Sequence, residues 1–204
     1  MRALYDYIRS SASYRVRIAL HLKGLVHDII PIPLLDNVQR SSGYLAHNPQ
    51  GLVPTLVDEG VTLTQSLAIC EYLEELHPEP ALLPKDAVGR ATVRALALSI
   101  ACDIHPLNNL RVLRYLESDF EASQAQKDAW YRHWIETGFD ALERQLQSTH
   151  GVYSYGDSVT LADLCLVPQV FNARRFKCDM SVYPTIVSIE QACLRLSAFS
   201  EIAP

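Results

Sequence analysis

The apolar positions of this chain change rhythm near residue 80. Before that point, the short alternating or β-branched runs Ala3–Ile8, His27–Leu34, Thr55–Val57 and Val61–Leu63 read as strands, because every second side chain of a strand shares a face. Residues 13–23 and 65–77 instead carry apolar side chains at helical spacing. The order is βαβ followed by ββα. Beyond residue 80 the strand signals stop, and 89–116, 124–147, 161–172 and 183–196 all keep the helical rhythm.

The first half closes as a four-stranded mixed sheet with helices on its faces, since the first crossover brings its two strands parallel. This is a thioredoxin-like arrangement. His77-Pro-Glu-Pro80 and Pro84 punctuate a linker, because proline cannot continue the preceding helix. The predicted architecture is therefore α/β plus all-α: a thioredoxin-like domain over 1–80, a linker over 81–88, and a helical bundle domain over 89–204. Pro106 falls inside the helical pattern 89–116, where it must release the Cys102 carbonyl and bend the helix. Thr160-Leu-Ala-Asp163 reads as a capping-box variant in which Asp163 has a structural role at a buried helix start.

Three segments carry candidate chemistry. In Arg9-Ser-Ser-Ala-Ser-Tyr-Arg-Val-Arg-Ile-Ala-Leu20 a serine-rich turn opens a helix directly after a strand. Helix-start N–H groups, the macrodipole and the hydroxyls of Ser10, Ser11 and Ser13 all favour an anion there, and a thiolate is one suitable guest. A plain N-cap is the simpler reading of any single serine. Asn48-Pro-Gln-Gly-Leu-Val-Pro-Thr-Leu56 and Leu63-Thr-Gln-Ser-Leu-Ala-Ile-Cys-Glu-Tyr-Leu73 follow in that order.

Together the three segments resemble the glutathione site of the soluble glutathione transferases. The resemblance implies that Pro54 follows a cis peptide bond and that the Val53 backbone pairs with extended glutathione. It also implies that Gln65 and Ser66, at a helix start, take the γ-glutamyl carboxylate. Ser-Ser-x-Ser-aromatic-Arg-Val-Arg-Ile-Ala-Leu is similar to the zeta-class signature, whose members include maleylacetoacetate and maleylpyruvate isomerases. The likeness runs on through Ala81-Leu-Leu-Pro84, Asp103-Ile-His-Pro-Leu-Asn-Asn109 and Leu166-Val-Pro-Gln-Val170. Where the zeta pattern reads Ser-Ser-Cys, this chain has Ser10-Ser11-Ala12, so a cysteine role there is excluded.

By this resemblance Ser10, with Ser11 as a second donor, holds the glutathione thiolate, and His105, Asn108 and Asn109 are further ligand contacts. The implied substrate is a small dicarboxylate cis enone. Guanidinium groups suit its carboxylates and the charge that develops on its ketone, which marks Arg9, Arg111 and Arg175 as catalytic candidates. Arg175 matches the family's Arg-Phe step, while Arg15 and Arg17 are expected to form structural ion pairs. Thiolate addition, bond rotation and elimination would turn maleylpyruvate into fumarylpyruvate, or maleylacetoacetate into fumarylacetoacetate. Two alternatives stand beside it: a general glutathione transferase or α-halo acid dehalogenase, and a non-catalytic interaction module on the same fold. The family also implies a two-fold homodimer, with 89–116 as a self-complementary surface.

Composition narrows this further by what it lacks. The 204 residues are 49% apolar with a net charge of −5, giving no basic footprint for nucleic acid and no polybasic membrane anchor. No run reaches the length of a membrane span, the strand-like N-terminus lacks a leader's apolar stretch, and the protein is expected in the cytoplasm. Cys70, Cys102, Cys165, Cys178 and Cys193 are widely spaced and read as reduced core thiols, with no metal site expected.

Overall fold

The computed structural model describes residues 2–204, which divide into two compact units. One comprises the chain through Leu82 together with Leu196–Pro204, and the other is Leu83–Arg195.

In the first unit β1 (Arg2–Asp6), β2 (Asp28–Pro31), β3 (Thr55–Asp58) and β4 (Val61–Thr64) form one sheet in the order β2-β1-β3-β4. β1 pairs parallel with β2 and antiparallel with β3, and β4 closes an antiparallel hairpin on β3. Leu4 faces Leu56 across the central pair, and both are fully buried. Helix α1 (Ser11–Leu22) packs against α3 (Ser66–Leu76), with the short α2 (Ser42–Leu45) between β2 and β3. Val16, Ile18 and Leu20 of α1 and Ile69 and Leu73 of α3 are wholly buried, each worth roughly 1.5–3 kcal/mol of transfer free energy.

The linker is tied to this unit by charge. Lys23 Nζ donates to Glu74 (2.8 Å) and to the His77 carbonyl (2.6 Å), and both Glu74 carboxylate oxygens accept from the Leu82 amide. The C-terminal residues, expected with the helical domain, also return here. The Tyr14 hydroxyl donates to the Phe199 carbonyl at 2.6 Å, and Phe199, on α9 (Ser197–Ser200), is fully buried.

The second unit is helical: α4 (Ala87–Leu98), α5 (Leu110–Phe120), α6 (Gln124–Thr149), α7 (Leu161–Arg175) and α8 (Pro184–Leu194). α4 and α8 pack on α7, and α8 also touches α6. The expectation of a single bent helix over 89–116 is corrected. α4 ends at Leu98, a π-helical turn covers Ser99–Ile104, a 3-10 turn covers His105–Asn108, and a new helix starts at Leu110. Proline at the start of the 3-10 turn removes an amide, but Asn109 makes the break: its backbone is extended (φ −65°, ψ 145°) and its side chain caps α5 by accepting from the Arg111 amide. Gly138 of α6 lets the π turn come close, since a Cβ there would collide with Ile104. The thiols follow the core reading at four positions, but Cys102, on the π turn, is exposed. Burial pushes the Cys178 thiol up to about 11.

Asp163 is fully buried at the start of α7. Its carboxylate accepts from the Thr160 amide (2.7 Å), the Thr160 hydroxyl (3.0 Å) and the Ser154 amide (2.8 Å), while burial pushes its pKa above the ordinary carboxylate range. Asp163→Ala leaves two buried amides unpaired, so thermal unfolding should show a loss of about 2–4 kcal/mol. A loss below 1 kcal/mol would contradict the structural role.

Candidate active site

The first unit gathers the three sequence segments on one scaffold. β1 runs out at Asp6, and Ser10 caps α1: its backbone is extended, and its hydroxyl oxygen accepts from the Ser13 amide at 3.2 Å. The cap reading of Ser10 is thus real. It uses the oxygen's lone pair and leaves the hydroxyl proton to donate elsewhere. Ser11 is buried at the first helical position, Ser10 is half-buried and Arg9 is exposed. The amides of Ser11 and Ala12 precede the first intrahelical bond, from Tyr14 N to Ser10 O, and so lie where an anion is favoured.

The second segment is a braced loop. Val53–Pro54 is cis, and the β3 ladder begins only at Thr55. Asn48 Nδ2 donates to the Leu52 carbonyl (2.7 Å), its Oδ1 accepts from the Gln50 amide, and the Tyr44 hydroxyl donates to the same Leu52 carbonyl. Burial pushes the Tyr44 phenol up, keeping it a donor. Gly51 is required, for its φ is +62° and a Cβ would lie 2.8 Å from the Gln39 carbonyl.

The third segment starts α3. Gln65 has φ 70°, a sparsely populated region for a residue with a side chain, and its amide nitrogen donates to Gln50 Oε1 at 2.9 Å. Ser66 is the first residue of α3 and is buried, and its hydroxyl oxygen accepts from Arg15 Nη1 at 3.2 Å. The amides of Ser66, Leu67 and Ala68 precede the first α3 bond, Ile69 N to Gln65 O. Gln50 and Arg15 enter the site only through these contacts. Nothing in the sequence pattern marked Gln50, and Arg15 was expected in an ion pair. That expectation holds for Arg17, which donates to both Asp6 oxygens at 2.7 and 2.8 Å, but Arg15 is corrected: it meets a hydroxyl.

In the second unit one residue of α6 ties two candidate segments together. The Tyr131 carbonyl accepts from Asn108 Nδ2 (3.2 Å), and its ring stacks on Phe176 at 3.5 Å between centroids. Trp130 Nε1 adds a bond to the Leu107 carbonyl at 2.8 Å. The turn bearing His105, Asn108, Asn109 and Arg111 and the α7 end bearing Arg175 are therefore held by neighbouring residues of α6. Asn108 is buried against that helix, Asn109 is occupied as a cap, and His105 is half-buried. Arg111 and Arg175 are exposed, and the Arg175 guanidinium lies over the Phe176 ring. Its charge offsets part of the burial that pushes the Tyr131 phenol up. Among the described residues Arg9, Arg111 and Arg175 make no ion pair, whereas the adjacent Arg174 is committed to Glu190 through Nε at 3.0 Å.

The donor set fits an extended thiol peptide with a terminal carboxylate: a helix start for a thiolate, unladdered backbone at Val53, and a second helix start for a carboxylate. A family model described as the glutathione S-transferase N-terminal domain matches residues 9–76, and one for the C-terminal domain matches 107–203. The solved holo structure of a maleylpyruvate isomerase, described as a bacterial glutathione S-transferase of the zeta class, superposes with a TM-score of 0.96 at 49% identity, covering 99% of this chain and 96% of that one. The chain belongs to the zeta class of the glutathione S-transferase family. It is 48% identical to the probable maleylacetoacetate isomerase of Vibrio cholerae, over 98% of this chain and 94% of that protein. It is 49% identical to the maleylpyruvate isomerase of a Ralstonia species, over 98% and 96%. Another neighbour, the maleylacetoacetate isomerase of Anaeromyxobacter dehalogenans solved with glutathione in its active site, has a TM-score of 0.90 at 43% identity, covering 100% of this chain and 95% of that one. No helix among the described residues is long and apolar enough to cross a membrane.

Proposed function

We propose that this protein is a glutathione-dependent cis–trans isomerase acting on maleylpyruvate or maleylacetoacetate. The observation that carries the reading is the serine turn capping α1, in a chain about half identical over nearly its whole length to isomerases of both names. One solved neighbour binds a dicarboxyethyl glutathione with citrate, a pairing that suits a site for thiol peptide and dicarboxylate. The protein is further read as a cytoplasmic homodimer serving the breakdown of aromatic compounds.

Glutathione held by these residues would supply a thiolate nucleophile for reversible addition to the double bond conjugated to the ketone. The protein's part is to hold charge. The Ser10 hydroxyl proton, with Ser11 as second donor, stabilises the thiolate at the α1 start, where the dipole lowers the cost of its ionisation. Val53 and Pro54 present backbone to the peptide, Gln65 and Ser66 take its γ-glutamyl carboxylate, and His105, Asn108 and Asn109 frame the remainder. Arg9, Arg111 and Arg175, which make no ion pair among the described residues, grip the two substrate carboxylates and the charge that gathers on the ketone oxygen. Neither serine forms a covalent bond.

With purified protein, ultraviolet absorbance should show maleylpyruvate converted to fumarylpyruvate only when glutathione is present, with total thiol unchanged. Conversion that consumes glutathione would replace isomerisation with conjugation. Arg111→Ala should lower kcat/KM for maleylpyruvate by about 10- to 100-fold, the loss of a charge-assisted hydrogen bond to a carboxylate. An unchanged specificity constant would remove Arg111 from the clamp.

A further inference from the structure

Four tyrosines are buried among the described residues, and three of them place the hydroxyl on an acceptor. Tyr14 donates to the Phe199 carbonyl, Tyr44 to the Leu52 carbonyl and Tyr183 to Asp140 Oδ1 at 3.0 Å. Tyr131 is the exception. The residue is only 6% exposed, yet its hydroxyl has no hydrogen-bond partner among the described residues, the backbone carbonyl alone being engaged. A buried phenol ordinarily finds a partner for its O–H. The hydroxyl is not sealed in: it keeps contact with the outside, unlike the fully covered indole nitrogen of Trp134 three residues on.

Packing explains the ring and not the oxygen. Tyr131 opens the buried stripe that Ile135, Phe139, Leu142 and Leu146 continue along α6, and none of those four carries a polar side-chain atom. Its ring lies flat on Phe176, with 3.5 Å between centroids and 6° between planes. A phenylalanine would fill both roles.

The surroundings of the hydroxyl give it a use. The same Phe176 ring carries the Arg175 guanidinium, whose Cζ lies 5.1 Å from the centroid and which makes no ion pair or hydrogen bond among the described residues. The ionisable groups that act on the Tyr131 phenol are Arg175 and Cys178, and burial keeps Cys178 a neutral thiol. No carboxylate belongs to that set. Burial also pushes the phenol up, so it stays protonated and able to donate at any working pH. A phenolic O–H and a guanidinium gathered around one ring are donors without an acceptor, and a carboxylate completes such a pair.

We propose that the Tyr131 hydroxyl is a further substrate-binding donor, sharing with Arg175 the carboxylate that Arg175 grips. The proposal rests on the arginine clamp of the isomerase reading and adds to it a neutral donor whose direction is set by a ring packed flat on Phe176. A guanidinium supplies charge and several donors. A phenol has one proton and one line of approach, so it selects where the carboxylate sits.

The test uses Tyr131→Phe, which removes one oxygen and keeps the ring. With glutathione saturating, the KM for maleylpyruvate should rise about 10-fold, the loss of one hydrogen bond to a charged group, while kcat stays within about twofold. The calorimetric affinity for glutathione and the thermal midpoint of the free protein should not change, because the hydroxyl holds nothing in the protein itself. Arg175→Met should raise the same KM, and the double variant should cost less than the product of the two single effects, since both donors serve one carboxylate. If Arg175→Met raises KM but Tyr131→Phe leaves it within about twofold of the wild type, the proposal is overturned and the clamp stands. A rise in Tyr131→Phe that comes with a lowered thermal midpoint and weaker glutathione binding also overturns it, as the mark of a structural role. An unchanged KM in Arg175→Met removes the clamp itself, and the proposal with it.

Discussion

Helices α1 and α3 start beside the same four-stranded sheet, and helix geometry gives the amides of their first turns no intrahelical acceptor. Everything else in the first unit serves to hold these two starts in place. The two helices pack against one another, with Val16, Ile18, Ile69 and Leu73 wholly buried, the sheet is registered by Leu4 against Leu56, and the loop between the segments is pinned by Asn48 and Tyr44 on the Leu52 carbonyl. Because the donors are backbone groups on packed helices, they are fixed before any ligand arrives. Little ordering remains to be done on binding.

In the second unit Arg111 and Arg175 are exposed and make no ion pair among the described residues. α6 anchors both the turn before α5 and the end of α7 through adjacent residues, Trp130 and Tyr131. The division of labour between Arg174 and Arg175 is instructive. One is spent on Glu190 and steadies α7 against α8, while the next stacks on Phe176 and keeps its donors open. A ring beneath a guanidinium limits its motion without taking its hydrogen bonds.

Much of this was legible in the sequence, for identifiable reasons. Strands and helices announced themselves by period, and the serine turn, the Val53–Pro54 step and the Gln65–Ser66 pair stand in local segments whose chemistry does not depend on distant residues. What was illegible depends on partners far along the chain. The helix pattern 89–116 keeps its rhythm through Asn109, so only the cap it makes to the Arg111 amide reveals the break. The return of the C-terminal residues to the first unit is decided by the fit of Phe199 and the hydroxyl of Tyr14, 185 positions apart. Arg15 and Arg17 look alike in sequence. Only the position of Asp6 separates a satisfied ion pair from a guanidinium that meets a hydroxyl.

The central claim is that the α1 start stabilises a thiolate, and the most direct test is the ionisation of glutathione bound to the protein, followed by thiolate absorbance across pH. A free cysteine thiol ionises near ~8.5. The account predicts that the bound thiol ionises at least about one unit lower than the same thiol in free glutathione, and that Ser10→Ala with Ser11→Ala removes most of that shift. A bound thiol that titrates as it does in solution would contradict the account.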